Sequence, residues 1–201
     1  MQAPTDRIAA VFIDRDGVIN RGVMDDEVDQ FESPYRPDDV ALEERAVEGL
    51  RALGALGVPL IVASNQPAAA KGRVSLADLW AVHERVVALL GDEGVVLDDW
   101  RYCFHHPQGK VPQLSGPCPC RKPLPGLLRA AAQRHGIDLS RAWMIGDTDR
   151  DVGAGRAAGT RTVLVENPRS AHKRGGEAGE AFLARDLTAA AAIVLAEAGT
   201  G

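Results

Sequence analysis

No apolar run in this chain of 201 residues approaches the roughly 20 residues that a bilayer-spanning helix needs. The opening stretch, Met1-Gln-Ala-Pro-Thr-Asp-Arg7, lacks the charged-then-apolar layout of a secretory leader, so a cytoplasmic protein is expected. Basic residues are in deficit, with 23 Lys and Arg against 28 Asp and Glu and a net charge of -5. That balance argues against a nucleic-acid partner, whose footprint is a basic surface. Cysteine is scarce, and all three thiols fall between positions 103 and 120. An odd number so confined fits a reduced compartment and a local metal site better than a disulfide framework. No segment repeats. At 45% hydrophobic and 25% charged residues the composition is that of a globular protein, neither disordered nor coiled-coil. The length suits one domain over 1–201 with a sizeable core, and a monomer is expected.

Strand-like and helix-like segments alternate, the pattern of a parallel sheet covered on both faces. Ile8 to Ile13 is a continuous apolar run, as a doubly buried strand requires, and Val58 to Ser64 reads as a second strand. Between them Glu43 to Leu56 reads as a helix with Val47, Leu50 and Leu53 inward, stopped at Gly57. A helix follows Ser75, which can cap it, with Leu76, Leu79, Trp80, Val86, Val87 and Leu90 at helical spacing. Trp100 to Phe104 reads as a short strand feeding a long loop. Gly126 to His135 and Asp151 to Ala158 read as helices, Ala142 to Asp147 and Thr160 to Val165 as strands. His172 to Gly179 is expected to be a mobile loop and Leu187 to Ala198 a closing helix. Residues 21–40 and 104–122 are long connections, which in compact domains tend to be functional.

The first strand ends on Asp14-Arg-Asp16-Gly, two carboxylates one residue apart followed by a turn. In open parallel sheets that edge is where ligands bind, and the pair can serve as nucleophile and proton donor. The second strand ends on Ser64-Asn65, a small hydroxyl that can donate to a phosphoryl oxygen. Arg121-Lys122 opens a helix with two cations, one suited to a bidentate phosphate clamp and the other to neutralising clustered carboxylates. Gly146-Asp147-Thr-Asp-Arg-Asp151 puts acidic residues just past another strand, as a hard Mg²⁺ site requires.

The order Asp-x-Asp-Gly, Ser, Lys, Gly-Asp-x-x-x-Asp resembles that of the haloacid dehalogenase (HAD) phosphohydrolases. More narrowly, Asp14 to Asn20, Asn65-Gln66 and Cys120-Arg-Lys-Pro123 look like the D-glycero-D-manno-heptose 1,7-bisphosphate 7-phosphatases and the related histidinol-phosphate phosphatases, over about residues 8 to 165. The resemblance implies a HAD-like Rossmannoid three-layer α/β sandwich with no large cap domain. It implies Asp14 as nucleophile, Asp16 as general acid and base, and Mg²⁺ held by Asp14, Asp147 and the carbonyl of Asp16. Lys122 would hold phosphate against Asp14, and Ser64, Asn65 and Arg121 would complete a site for a small phosphorylated sugar. In that family Cys-x-His…Cys-x-Cys holds a structural zinc, matching Cys103, His105, Cys118 and Cys120. Three thiolates and one imidazole can close a tetrahedral site with no open position. His106 is the alternative imidazole, and the family pattern favours His105.

The match departs in places. Thr148 stands where the heptose phosphatases usually have lysine, so one substrate-contacting cation is missing. The second motif ends Asn65-Gln66-Pro67 rather than Asn-Gln-Ser, and Arg21 to Asp39 is more polar than the family leads one to expect. These departures bear on the substrate, not the reaction class. Histidinol-phosphate phosphatase is the nearest rival, and an inert phosphate-binding module is a rival from another class. An NAD-dependent enzyme is a distant third, because Gly153-Ala-Gly155 only brushes a dinucleotide fingerprint and reads better as close helix packing. His83 and His135 read as a helix-face residue and a helix C-terminal cation.

Overall fold

The computed structural model describes residues 7–27, 29–176 and 179–198; residues 1–6, on which the leader expectation rests, lie outside them. Alternation along the first strand, β1 (Ala10–Ile13), already sets out the layers. Val11 and Ile13 face one hydrophobic cluster while Ala10 and Phe12 face another, as successive residues of a strand must. β1 pairs in parallel with β4 (Leu60–Asn65) on one side and β6 (Ala142–Gly146) on the other. β5 (Asp99–Cys103), β7 (Arg161–Val165) and β8 (Phe182–Ala184) extend the sheet to the order β5-β4-β1-β6-β7-β8, all parallel.

One face carries α1 (Ala46–Gly54), α2 (Leu76–Asp92) and α5 (Leu187–Ala198), whose Leu50, Leu53, Val82, Val86 and Val194 pack on the strands' Val and Ile side chains. The other face carries α3 (Gly126–His135) and α4 (Asp149–Ala158), with Leu127, Leu128 and Ala131 over Phe12, Ile61 and Met144. Each such side chain taken out of water contributes about 1.5–3 kcal/mol before chain entropy is set against it. The result is the expected three-layer α/β/α sandwich. Among the described residues no helix is long and apolar enough to cross a membrane.

Several boundaries differ from expectation. Residues 21–39 are not plain loop: β2 (Val23–Asp25) and β3 (Gln30–Glu32) form an antiparallel hairpin that overhangs the C-terminal edge of the sheet. Strand β8 was not expected, because its three residues are too short a run to read as a strand. α1 starts at Ala46, since Arg45 before it is left-handed at φ 67° and Glu43 is drawn to Asn167 instead. α4 starts at Asp149 because Thr148 caps it. On α2 Ser75 caps as read, in a capping box with Asp78, but the buried stripe is Leu79, Val82, Val86 and Leu90, leaving Leu76, Trp80 and Val87 exposed. Part of the expected mobile stretch, through Lys173, is a 3-10 helix (Pro168–Lys173), while residues 177–178 fall outside the described ones.

Candidate active site

The C-terminal ends of β1, β4 and β6 meet at a pocket of about 300 Å³ lined by Asp14, Asp16, Ser64, Lys122, Asp147 and Asp151 among others. β1 delivers Asp14, whose amide is fixed to Ile145 of β6 at 2.9 Å. Gly17 then turns the chain at φ 82°, and a Cβ there would stand 1.9 Å from Asp147 Oδ2. Only glycine therefore lets the β1 turn and the β6 carboxylate share the space.

Asp14, Asp147 and Asp151 are all buried and present ligand atoms within 4.8 Å of one another. Burial, then the neighbouring Asp151, pushes the Asp14 pKa up to about 6, with Lys122 and Ser64 opposing. Burial followed by Asp14 and Asp151 pushes Asp147 well above the usual carboxylate range. Lys122 is the counterweight. Its Nζ donates to Asp14 Oδ1 at 3.0 Å, Asp151 Oδ1 at 2.5 Å and the carbonyl of Ala63 at 2.6 Å. Burial disfavours its charge, yet Asp14 and Asp151 outweigh that and raise its pKa. One cation among three carboxylates leaves negative charge uncompensated, and Asp147 Oδ1 is buried without a hydrogen-bond partner. An orphaned carboxylate oxygen in such a cluster fits a hard divalent cation such as Mg²⁺.

Asp16 faces a different environment. Its carboxylate accepts from Arg15 Nε and Nη2, Asn20 Nδ2, Ser33 Oγ and Gln66 Nε2. Burial works to raise its pKa, but Arg15 and then Asn20, Gln66 and Ser33 outweigh it and the pKa is lowered. Arg15 is itself fully buried, donates to Gln66 Oε1 at 2.9 Å and lies 5.6 Å from the Tyr102 ring centroid.

Beside the pocket, β5 and the following loop gather Cys103, His105, Cys118 and Cys120. Sulfur separations are 3.6, 3.1 and 3.5 Å, and His105 Nδ1 lies 3.8 and 3.5 Å from Cys103 and Cys120. A tetrahedron around zinc with 2.3 Å bonds to sulfur has edges of about 3.8 Å, so the four groups fit that metal with slight expansion. His106 is turned away, its Nδ1 accepting from the amide of Gln108 at 3.1 Å.

The residues singled out in the sequence thus converge, with shifts of task. Asn65 uses both ends of its amide on Lys122, accepting from its N–H and donating to its carbonyl, each at 3.1 Å, rather than facing the pocket alone. Arg121 lines the pocket and donates to the carbonyl of His105 at 3.1 Å; burial, then Arg150, pushes its pKa down. Asp151 was quoted as part of a motif but given no task, and it proves central. Gln66 was likewise quoted in a motif without a task, and Arg15 and Ser33 were given none. Ser33 carries no sequence signal, since only the hairpin's placement brings it to Asp16. His83 bonds Tyr102 Oη at 2.9 Å and His135 pairs with Asp99, so neither joins the site. Gly153 and Gly155 abut Pro123 and Met144 with Thr162, which is close packing and not a nucleotide turn.

Comparison with known proteins agrees with this geometry. The family model described as HAD-hydrolase-like matches residues 119–190. The D-glycero-beta-D-manno-heptose-1,7-bisphosphate 7-phosphatase of Yersinia pestis is 33% identical over 179 residues, 88% of this chain and 90% of that protein. The D-glycero-alpha-D-manno-heptose-1,7-bisphosphate 7-phosphatase of Photorhabdus laumondii is 34% identical, covering 80% of this chain and 84% of that protein. Among solved structures, the D,D-heptose 1,7-bisphosphate phosphatase of B. bronchiseptica, complexed with magnesium and phosphate, superposes with a TM-score of 0.78 at 30% identity, covering 94% of this chain and 99% of that one.

Proposed function

The chain belongs to the HAD-like phosphatases, in the family of the heptose 1,7-bisphosphate 7-phosphatases, and from that membership we propose that it cuts the 7-phosphate from D-glycero-D-manno-heptose 1,7-bisphosphate by way of an aspartyl-phosphate. The observation that carries the mechanism is the contact of Lys122 with Asp14 inside a three-carboxylate cluster. An anionic nucleophile meets an anionic phosphate only where cations offset the repulsion, and positioning with charge stabilisation is most of phosphoryl-transfer catalysis. The barrier to lower is on the order of 20 kcal/mol or more, beyond any single residue.

Asp14 attacks phosphorus as the bond to the sugar oxygen breaks, and the departing alkoxide takes a proton from Asp16. Asp16 then takes a proton from the water that attacks the phosphoenzyme, which releases phosphate and restores both carboxyl groups. Asp14, Asp147 and the carbonyl of Asp16 would hold Mg²⁺, with Asp151 beside them; the ion supplies positive charge to the phosphoryl oxygens. Lys122 has all three N–H groups engaged, so a phosphate oxygen reaching it replaces one of those partners. Ser64 and Arg121 offer further donors on the pocket wall. Cys103, His105, Cys118 and Cys120 would hold a structural zinc, which orders the loop that leads directly into Arg121 and Lys122. The enzyme acts as a cytoplasmic monomer on a small metabolite.

A second reading, histidinol-phosphate hydrolysis, draws on one observation: the cleft beside the hairpin carries Asp25, Asp26, Glu27, Glu32 and Asp39 against Lys71, Arg73 and Lys110, a wall of net negative charge suited to a cationic amine. Phosphate release measured with Mg²⁺ on heptose 1,7-bisphosphate (both anomers), histidinol phosphate and common sugar phosphates separates the two. The highest kcat/KM is expected on a heptose bisphosphate. A higher value on histidinol phosphate overturns the substrate assignment, and no turnover of any phosphomonoester would leave the inert binding module.

A further inference from the structure

An arginine can orient a carboxylate only if something else orients the arginine. Arg15 donates to both oxygens of Asp16 from a fully buried position, and its long side chain needs an anchor that does not move with that carboxylate. Gln66, the other side chain to which Arg15 donates, is no such anchor, because its own Nε2 donates to Asp16 Oδ2. Tyr102 is placed to serve instead, since its hydroxyl is tied outward to α2.

The Arg15 guanidinium lies 5.6 Å from the centroid of the Tyr102 ring. Burial pushes the Tyr102 pKa up to about 12, with Arg15 opposing. A guanidinium can only donate, so the tyrosine oxygen meets it as an acceptor and the phenolic proton is left for another partner. His83 of α2 is that partner, with Nδ1 2.9 Å from Tyr102 Oη. An accepting Nδ1 puts the ring proton on Nε2, and burial, then Arg15, pushes the His83 pKa down toward that neutral form. The imidazole is itself held edge-on to Trp80, Trp100 and Tyr102, at centroid distances of 5.3, 4.9 and 5.6 Å. His83 lies outside the pocket, yet a line of polar contacts joins it through Tyr102 and Arg15 to Asp16.

We propose that Tyr102, backed by His83, is a positioning residue for Asp16 that acts through Arg15. The pair fixes the guanidinium, and the guanidinium fixes the carboxylate that takes the proton of the attacking water as the water oxygen bonds to phosphorus and the bond from phosphorus to Asp14 breaks. Neither residue touches substrate. The proposal rests on the reading of Asp16 as general acid and base.

The test uses p-nitrophenyl phosphate, on which only the second half of the reaction calls for Asp16, because nitrophenolate leaves unprotonated. Stopped flow gives the first-turnover and steady-state rates of the wild type, Tyr102→Phe, His83→Leu, His83→Asn, the double variant Tyr102→Phe with His83→Leu, and Asp16→Asn. The steady-state rate relative to the first turnover should fall roughly three- to tenfold in Tyr102→Phe, as for one lost hydrogen bond. Burst amplitude and kcat/KM should hold within about twofold, since kcat/KM covers only the steps up to nitrophenolate release. His83→Leu should shift the ratio in the same sense, and His83→Asn, whose amide oxygen can accept in place of Nδ1, should recover it in part. The double variant should match Tyr102→Phe, because the bond that His83→Leu breaks is already gone. An unchanged ratio in Tyr102→Phe overturns the proposal, as do losses that multiply in the double variant. A burst amplitude that falls as far as the steady state also overturns it, leaving Tyr102 a structural role alone. If Asp16→Asn keeps the wild-type ratio, the reading of Asp16 falls and the proposal with it; if Asp16→Asn loses the ratio and Tyr102→Phe does not, the proposal alone falls.

Discussion

Arg15 grips the carboxylate of its own neighbour, Asp16, with Nε at 3.1 Å and Nη2 at 2.9 Å from Oδ1, from a fully buried position behind the pocket wall. Every other contact to that carboxylate is also a donor, from Asn20, Ser33 and Gln66. A carboxylate so surrounded is held ionised and fixed in orientation, the form that receives a proton when water attacks the phosphoenzyme.

Arg15→Met should therefore slow the second half of the reaction more than the first. With p-nitrophenyl phosphate, whose leaving group departs without a proton, stopped-flow traces should show a near-normal first turnover and a steady state slower by roughly ten- to a hundredfold. Equal slowing of both phases would assign Arg15 to structure alone.

Asp14→Asn should abolish turnover, with deamidation excluded by mass spectrometry, and Asp16→Asn should be nearly inactive on alkyl phosphates. The first substitution also has a stability signature. The folded pKa of Asp14, about 6, is raised above the ordinary aspartate value of 3.8, so stability is fully present below the lower value and lost as pH rises through the upper one. Metal-free Asp14→Asn should consequently unfold at a higher temperature than the wild type at pH 8, by about 2–4 °C per kcal/mol. The gain should vanish near pH 4. Thermal melts with chelator across that range decide the matter.

Lys122→Met leaves Asp14 and Asp151 facing each other without their cation. Breaking a buried pair from one side costs roughly 3–5 kcal/mol, to be measured by urea unfolding at pH 7. Mg²⁺ should restore more stability to this variant than it adds to the wild type, because the ion supplies the charge that was removed. An equal increment in both proteins would separate the metal site from the Lys122 cluster.

Cys118→Ser should lose zinc and thermal stability together, since binding the metal and folding the loop share one free energy. Elemental analysis should find one zinc per wild-type chain purified without chelators. Absence of zinc, with all three thiols reactive in the native protein, contradicts the site.

The sheet and the reaction centre were legible for a chemical reason. Asp14, Asp147 and the Cys103 to Cys120 group are residue types with narrow uses, set at strand ends and in a loop where few structural demands compete. What escaped notice depends on long-range placement. Ser33 reaches Asp16 only because the hairpin folds over it, and Arg15, which was given no task, turns inward to a partner 51 residues away, Gln66. On α2, helical spacing alone did not tell which of two adjacent apolar stripes turns inward, so Trp80 was put on the wrong side. Asp151 was hidden by its double use, since one oxygen caps a helix while the other binds Lys122.

The paired bonds of Asn65 to the backbone of Lys122 have a bearing on the order of assembly. The side-chain amide takes the place of a peptide group and stitches β4 to a segment 57 residues later, after the cysteine loop has closed. Closing a connection of that length costs loop entropy before the contact is gained. A chain with its sheet built but that loop unseated holds three carboxylates and no cation among them. Competence to cut phosphate therefore depends on the docking of that connection as well as on the sheet.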